Sequence, residues 1–162
     1  MNDGSVKLTP MSDEMYRLYL SEYENDPDLF MPGQEFVHFE YSEEKAERYI
    51  RRHRDLKRIT LAVLYNDEIV GEIIIKNIEE HKRATMGIAL KNAKYKDRGI
   101  GTAAERLAVS YVFNELDIQT LYADTIRKNT RSQHVLEKAG FSCIGEDEDF
   151  KYYRIDRKTD RH

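Results

Sequence analysis

Lys91-Asn-Ala-Lys-Tyr-Lys-Asp-Arg-Gly-Ile-Gly-Thr-Ala-Ala-Glu-Arg-Leu-Ala-Val-Ser-Tyr-Val-Phe-Asn-Glu-Leu116 is the stretch on which the reading of this chain turns. A short loop carrying Gly99 and Gly101 runs straight into a helical pattern. From Ile100 onward, apolar residues return at Ala104, Leu107, Ala108 and Tyr111, the i, i+3, i+4 rhythm of a half-buried helix. A glycine pair at a helix start lets a ligand approach bare main chain. Unpaired first-turn N–H groups and the positive end of the helix dipole then face that ligand. Such a place suits a phosphate or diphosphate. Lys91, Lys94, Lys96 and Arg98 outnumber the single Asp97 and strengthen the anion reading. A glycine-containing turn before an ordinary helix is the plainer alternative.

Working outward, Lys82 to Leu90 reads as the strand that leads into the loop, and Thr120 to Arg127 as the strand that follows the helix. Further upstream, Thr60–Tyr65 and Ile69–Ile78 form a hairpin around the Asn66-Asp67 turn. Downstream, Asn129 to Ala139 is a helix closed by Gly140. Phe141–Gly145 and Phe150–Ile155 are closing strands around the acidic run Glu146-Asp-Glu-Asp149. At the start, Val6–Thr9 is a strand. Ser12 caps a helix with Asp13 and Glu14 in its first turn and Met15, Leu18 and Tyr19 on its apolar side. Ser42 opens a second helix, Glu43 to Leu56, acidic first and basic last (Arg51, Arg52, Arg54, then Lys57). Between these helices, Asn25 to Tyr41 is a long connection broken by Pro27, Pro32 and Gly33. Loops of this length are often functional. Acids (Glu22, Glu24, Asp26, Asp28, Glu35, Glu40) alternate there with Phe30, Phe36, Phe39 and Tyr41. They either line a site for a cationic substrate or form a solvated acidic loop with rings tucked into the core. The order βααβββαβαββ gives an α/β sheet with one central helix after the fourth strand.

At 162 residues the chain is expected to be one domain, 1–162, large enough for a real core. A 40% hydrophobic and 35% charged composition reads as soluble and globular. The net charge of −4 weighs against nucleic acid as a partner. Cys143 is alone, which excludes an internal disulfide and a cysteine-based zinc site. It lies in an apolar strand segment and reads as a core residue. Of the five histidines, His38, His53, His81 and His134 have no second ligand at metal spacing, so no metal is expected and they read as surface or helix-face residues. No apolar run approaches membrane-spanning length, and a cytoplasmic setting without membrane contact is the expectation.

Two motifs about thirty residues apart fit one superfamily. Lys96-Asp-Arg-Gly-Ile-Gly101 resembles the [Gln/Arg]-x-x-Gly-x-[Gly/Ala] loop of the GCN5-related N-acetyltransferases (GNAT), with Lys96 where Gln or Arg is usual. Asn129-Thr-Arg-Ser132 and Leu136-Glu-Lys-Ala-Gly-Phe141 are similar to that superfamily's Asn-x-x-Ser…Glu-Lys-x-Gly-Phe segment. The branch most resembled holds the RimJ/RimL-type ribosomal-protein acetyltransferases and relatives such as the spermidine acetyltransferases. The resemblance implies a GNAT-like mixed, mostly antiparallel twisted sheet with splayed central strands and flanking helices. It also implies acetyl-CoA as cosubstrate, its pantetheine arm lying between the diverging strands Arg83–Leu90 and Thr120–Arg127. Main-chain groups at Ile88, Ala89 and Leu90 would pair with the arm's amides, and the diphosphate would sit on N–H groups from Asp97, Arg98, Gly99, Ile100, Gly101 and Thr102, with Lys96 among the coenzyme-binding residues. Asn129 and Ser132 would touch the arm.

Acetyl transfer to an amine needs a neutral nitrogen, a polarised thioester carbonyl and a proton for the leaving thiolate. The resemblance implies a backbone N–H near Ile88 for the oxyanion. The tyrosine that many members use as the acid is replaced by Leu136, which leaves Ser132 as the matching hydroxyl. Glu72 and Asp124 are the carboxylates available as base, and Thr85 stands where relatives often carry an acid. Tyr122 and Tyr152 are further candidates for lining the acceptor site. The expected activity is direct acetyl transfer to a primary amine in a ternary complex. A protein N-terminus, a polyamine and an aminoglycoside-like small molecule all stay open as acceptor, and a homodimer is left open. The missing Tyr and acid keep a non-catalytic acyl-CoA-binding or sensing domain as the alternative.

Overall fold

The computed structural model describes residues 2–3, 5–27, 33–96 and 98–158. Asp97 of the glycine loop, and Asp28, Phe30 and Pro32 of the long connection, lie outside them. One mixed sheet of eight strands runs in the order β1-β2-β3-β4-β5-β6-β8-β7. Its members are β1 Asn2–Asp3, β2 Val6–Pro10, β3 Ile59–Tyr65, β4 Glu68–Glu79, β5 Arg83–Leu90, β6 Thr120–Ile126, β7 Ser142–Glu146 and β8 Phe150–Asp156. All neighbours are antiparallel except β5 and β6. The two-residue β1 was not expected from the sequence, since two residues carry no period.

Helices cover both faces. Helices α1 (Asp13–Ser21) and α2 (Glu43–Asp55) pack on one, around Tyr16, Tyr19, Ala46, Ile50 and Ala62. On the other, α3 (Ile100–Asn114) and α4 (Thr130–Lys138) enclose the larger core with Leu61, Val63, Ile73, Ala104 and Leu136. Leu61, Ala62 and Val63 point to alternate faces, the period-two signature of a sheet buried on both sides. The β3–β4 turn holds Asn66 and Asp67 at φ 50° and 65°, the paired left-handed conformation that matches strand twist in a two-residue hairpin. Val70 has no partner in the β3–β4 ladder, and this bulge resets the strand's phase. Val70 and Ile73 therefore face α3, while Glu72 faces α1 and α2.

Two core expectations are corrected. On α1 the buried residues are Tyr16, Tyr19 and Leu20, while Leu18 is 52% exposed. A short helix against one sheet face buries a narrow stripe, and Leu18 lies beside it. Cys143 is exposed, because β7 is the sheet edge and all five of its residues face solvent.

Candidate active site

Strands β5 and β6 pair at only three positions, Arg83↔Thr120, Ala84↔Leu121 and Thr85↔Tyr122. Past Thr85 they part, as expected, and from Met86 onward the β6 side of β5 has no strand opposite it. Alternation along β5 turns Ile88 and Leu90 towards the α3 core, while Gly87 and Ala89 border a cavity against α1 and α2. The gap thus connects the two faces of the sheet.

On the α3 face, a cavity of about 140 Å³ is bounded by Ile88, Ala89, Leu90, Gly101, Asn129 and Ser132. Past Leu90 and Gly101 it adjoins a larger groove of about 590 Å³ that reaches Thr102, Thr130 and His134. The start of α3 faces this groove and differs from the other α-helix starts. Ser12, Ser42 and Asn129 each accept a main-chain N–H of α1, α2 and α4, whereas Gly99 caps α3 with no side-chain bond. Gly99 holds φ at 76°, a conformation that favours glycine. The first intrahelical bond from the Gly99 carbonyl goes to the Ala103 N–H, so the amides ahead of it offer donors to the groove.

The loop's side chains depart from the expected anion cradle. Lys91 is buried and hydrogen-bonds Glu22 (2.6 Å) and Glu68 (2.9 Å). Lys96 borders both cavities but forms a largely buried ion pair with Asp26. Two of the four loop cations are therefore already neutralised. Arg98 is exposed, and the Ile100 side chain is in the core, leaving its main chain as the group available to a ligand. Asn129 Oδ1 accepts the Ser132 N–H at 3.1 Å, so it is the α4 cap while also bordering the cavity. Leu136, where the tyrosine acid was missed, is 2% exposed inside the core.

On the α1/α2 face lies a cavity of about 750 Å³. Tyr19, Tyr23, Phe39 and Tyr49 supply aromatic wall, and Glu72 its buried acid. Glu72 sits opposite Ala89 in the β4–β5 ladder, one residue from Ile88. Its Oε1 accepts the Tyr49 hydroxyl at 2.8 Å and its Oε2 accepts the Tyr16 hydroxyl. Burial raises the carboxyl's pKa, and the two hydroxyl bonds only partly offset this. Both tyrosines are pushed far up by burial and by Glu72, so they stay neutral donors. Asp124 is exposed on β6 opposite Tyr152 of β8 and borders neither cavity, because strand alternation points it to the solvent side. Tyr122 lies under the Arg154 guanidinium and Tyr152 bonds Asp147, so neither joins the acceptor cavity.

The profile of the acetyltransferase (GNAT) domain matches residues 5–142. The chain belongs to the GNAT acetyltransferase family. The spermidine N(1)-acetyltransferase of Escherichia coli strain K12 is 29% identical over 148 residues, covering 88% of this chain and 75% of that protein. It falls in the branch that the motifs resemble. The crystal structure of an acetyltransferase (GNAT family) from Bacillus anthracis superposes with a TM-score of 0.75 at 20% identity, over 96% of this chain and 97% of that one. The crystal structure of Campylobacter jejuni N-acetyltransferase PseH in complex with acetyl coenzyme A superposes at 0.62 with 25% identity, over 71% of this chain and 79% of that one. The GNAT activity is acetyl transfer, and the sensing alternative is set aside.

Acetyl-CoA fits this GNAT site on the chain's own features. The uncapped α3 amides suit a diphosphate, and the unpaired edge of β5 suits the amides of a pantetheine arm, much as an added strand would pair. No group of three or more metal-ligating side chains occurs among the described residues. Among those residues, too, no helix is long and apolar enough to cross a membrane. Two site residues escaped the sequence reading. Glu105, one turn after Gly101, borders the coenzyme cavity at 1% exposure, and its Oε2 has no partner among the described residues. Burial pushes its carboxyl up to about 8. The signal was available, because Glu105 interrupts the stripe of Ile100, Ala104 and Ala108. His53, read as a surface or helix-face histidine, lies on the buried face of α2 at 5% exposure and packs on Tyr16 and Tyr49. Burial and Arg58 lower its pKa to about 4, so it stays neutral behind the Glu72 tyrosines.

Proposed function

We propose that this protein, working as one cytoplasmic domain, acetylates a primary amine by direct attack in a ternary complex. Acetyl-CoA enters from the α3/α4 face and the amine from the α1/α2 face. The observation carrying this reading is the meeting of two cavities at Ile88 and Ala89, where the sheet is split. One leads to a helix start whose amides have no side-chain cap among the described residues, and the other ends on Glu72. Glu72 is the proposed base. An acceptor ammonium gives its proton to the carboxylate, whose raised pKa brings it nearer that of the amine. The neutral nitrogen attacks the thioester carbonyl, and the Ile88 main-chain N–H holds the developing oxyanion. The Ser132 hydroxyl, which borders the coenzyme cavity, gives its proton to the leaving thiolate and is restored by the surplus proton of the newly attached nitrogen, so that amide and free thiol are the products. Holding both reactants in line supplies much of the acceleration.

The test is thiol release from acetyl-CoA across a panel of amines, for the wild type and for Glu72→Gln. With an accepted amine, loss of the base should lower kcat by about 10²-fold, with coenzyme affinity unchanged. Equal kcat in the two proteins would remove Glu72 from the mechanism.

A further inference from the structure

The acceptor cavity contains an asymmetry of charge that an amine alone leaves unexplained. Lys45, Arg48 and Arg52 stand at i, i+3 and i+7 on α2, so they share one helix face, and all three border the cavity. Two other arginines of the same helix pair are matched by acids: Arg17 meets Glu43 and Glu47, and Arg54 meets Asp13. Arg48 and Arg52 are exposed, and neither has an ion-pair partner among the described residues. Lys45 donates to the Glu40 carbonyl and lies 5.8 Å from the Phe39 ring centre, which leaves its charge uncompensated by a carboxylate. Three acids of the preceding segment are placed away from these cations. Glu22 holds Lys91, Asp26 holds Lys96, and Glu24 borders the coenzyme cavity. Among the described residues Glu72 is the one acid bordering the acceptor cavity, and it is buried.

We propose that the acceptor is an amine that also carries a carboxylate or phosphate, its acidic group seated on Lys45, Arg48 and Arg52 while its nitrogen meets Glu72. The proposal rests on the transferase reading above and names its substrate class. Two arginines with free planar forks suit a carboxylate or phosphate through paired N–H donors. A polyamine would instead set its remote ammonium groups against three like charges.

Matched amines differing only in the acid test it: glucosamine against glucosamine 6-phosphate, and ethanolamine against phosphoethanolamine, with spermidine as the polycation. Thiol release should give a kcat/KM at least about tenfold higher for the phosphorylated member, the advantage shrinking as salt screens the rim. In the exposed-site double variant Arg48→Glu/Arg52→Glu the preference should vanish or reverse, at an unchanged melting temperature. Equal rates within each pair, a preference for spermidine, or a preference that survives the double variant would overturn the proposal. Thiol release from no amine at all would strike the choice of the Glu72 cavity as the acceptor site, a different failure.

Discussion

Replacing Glu105 by glutamine swaps a buried acid for a near-isostere of its neutral form, so the difference between the two proteins is the titration alone. Folded Glu105 has its pKa pushed to about 8 by burial, against an ordinary value of 4.5. Between those values the unfolded chain releases the proton and the folded chain keeps it, so the native state binds more protons and stability falls as pH rises. At about 1.4 kcal/mol per pH unit, this handicap amounts to about 3 kcal/mol at pH 7 and levels off at about 5 kcal/mol above pH 8. Glu105→Gln should therefore match the wild type near pH 4 and exceed it by about 3 kcal/mol at pH 7. Urea unfolding from pH 4 to 9 measures this, with equal denaturant slopes required for the comparison. A coenzyme titration adds a second readout. Ionised Glu105 would lie one helical turn from the amides that take the diphosphate, so affinity should weaken above pH 8 in the wild type and not in the variant. Parallel stability curves at all pH values would refute the reasoning, because they would mean that Glu105 is hydrated or paired in solution.

Tyr49→Phe removes one of the two hydroxyl bonds that lower the Glu72 pKa, so the acid limb of kcat/KM should move to higher pH; an unmoved limb in the pH–rate profile would detach Glu72 from it. A Cβ at Gly101 would meet only the Val135 side chain, Cγ1 at 3.5 Å and Cγ2 at 3.9 Å, ordinary contacts. Gly101→Ala should fold normally, whereas Gly101→Glu should abolish coenzyme binding in calorimetry by placing bulk and charge at the groove; retained affinity would displace the diphosphate site. Ser132→Ala should lower turnover about tenfold or more while changing coenzyme affinity little, and equal turnover would leave Ser132 a structural residue.

The glycine loop and the helix order were readable because each rests on a local rule, whereas the split of the sheet came from the family resemblance. Gly99 and Gly101 mark the start of α3, Asn66-Asp67 marks the hairpin, and Ser12, Ser42 and Asn129 cap the helices where expected. What could not be read depends on contacts distant in sequence. Glu72 and Asp124 stand as equal candidates for the base in the sequence, and what separates them is Tyr16, 56 residues from Glu72, which holds its carboxylate. The four cations of the loop looked equivalent, yet Lys91 and Lys96 pair with acids about 70 residues earlier, and no local pattern records such pairings. Asp124 and Leu18 show the converse limit. Periodicity fixes which residues share a face, while the packing of neighbouring elements decides which face is covered.

Three residue pairs between β5 and β6, with the Gln119 and Thr120 N–H groups donating to the Lys82 carbonyl at their end, stitch the larger leaf of the sheet, β1 to β5, to the smaller leaf of β6, β8 and β7. Whatever occupies the opening becomes a rivet between those leaves. Loading the coenzyme should then slow amide exchange in β6 and β8 as well as at its own contacts, and the protein at rest should breathe along that seam more readily than anywhere else in the sheet.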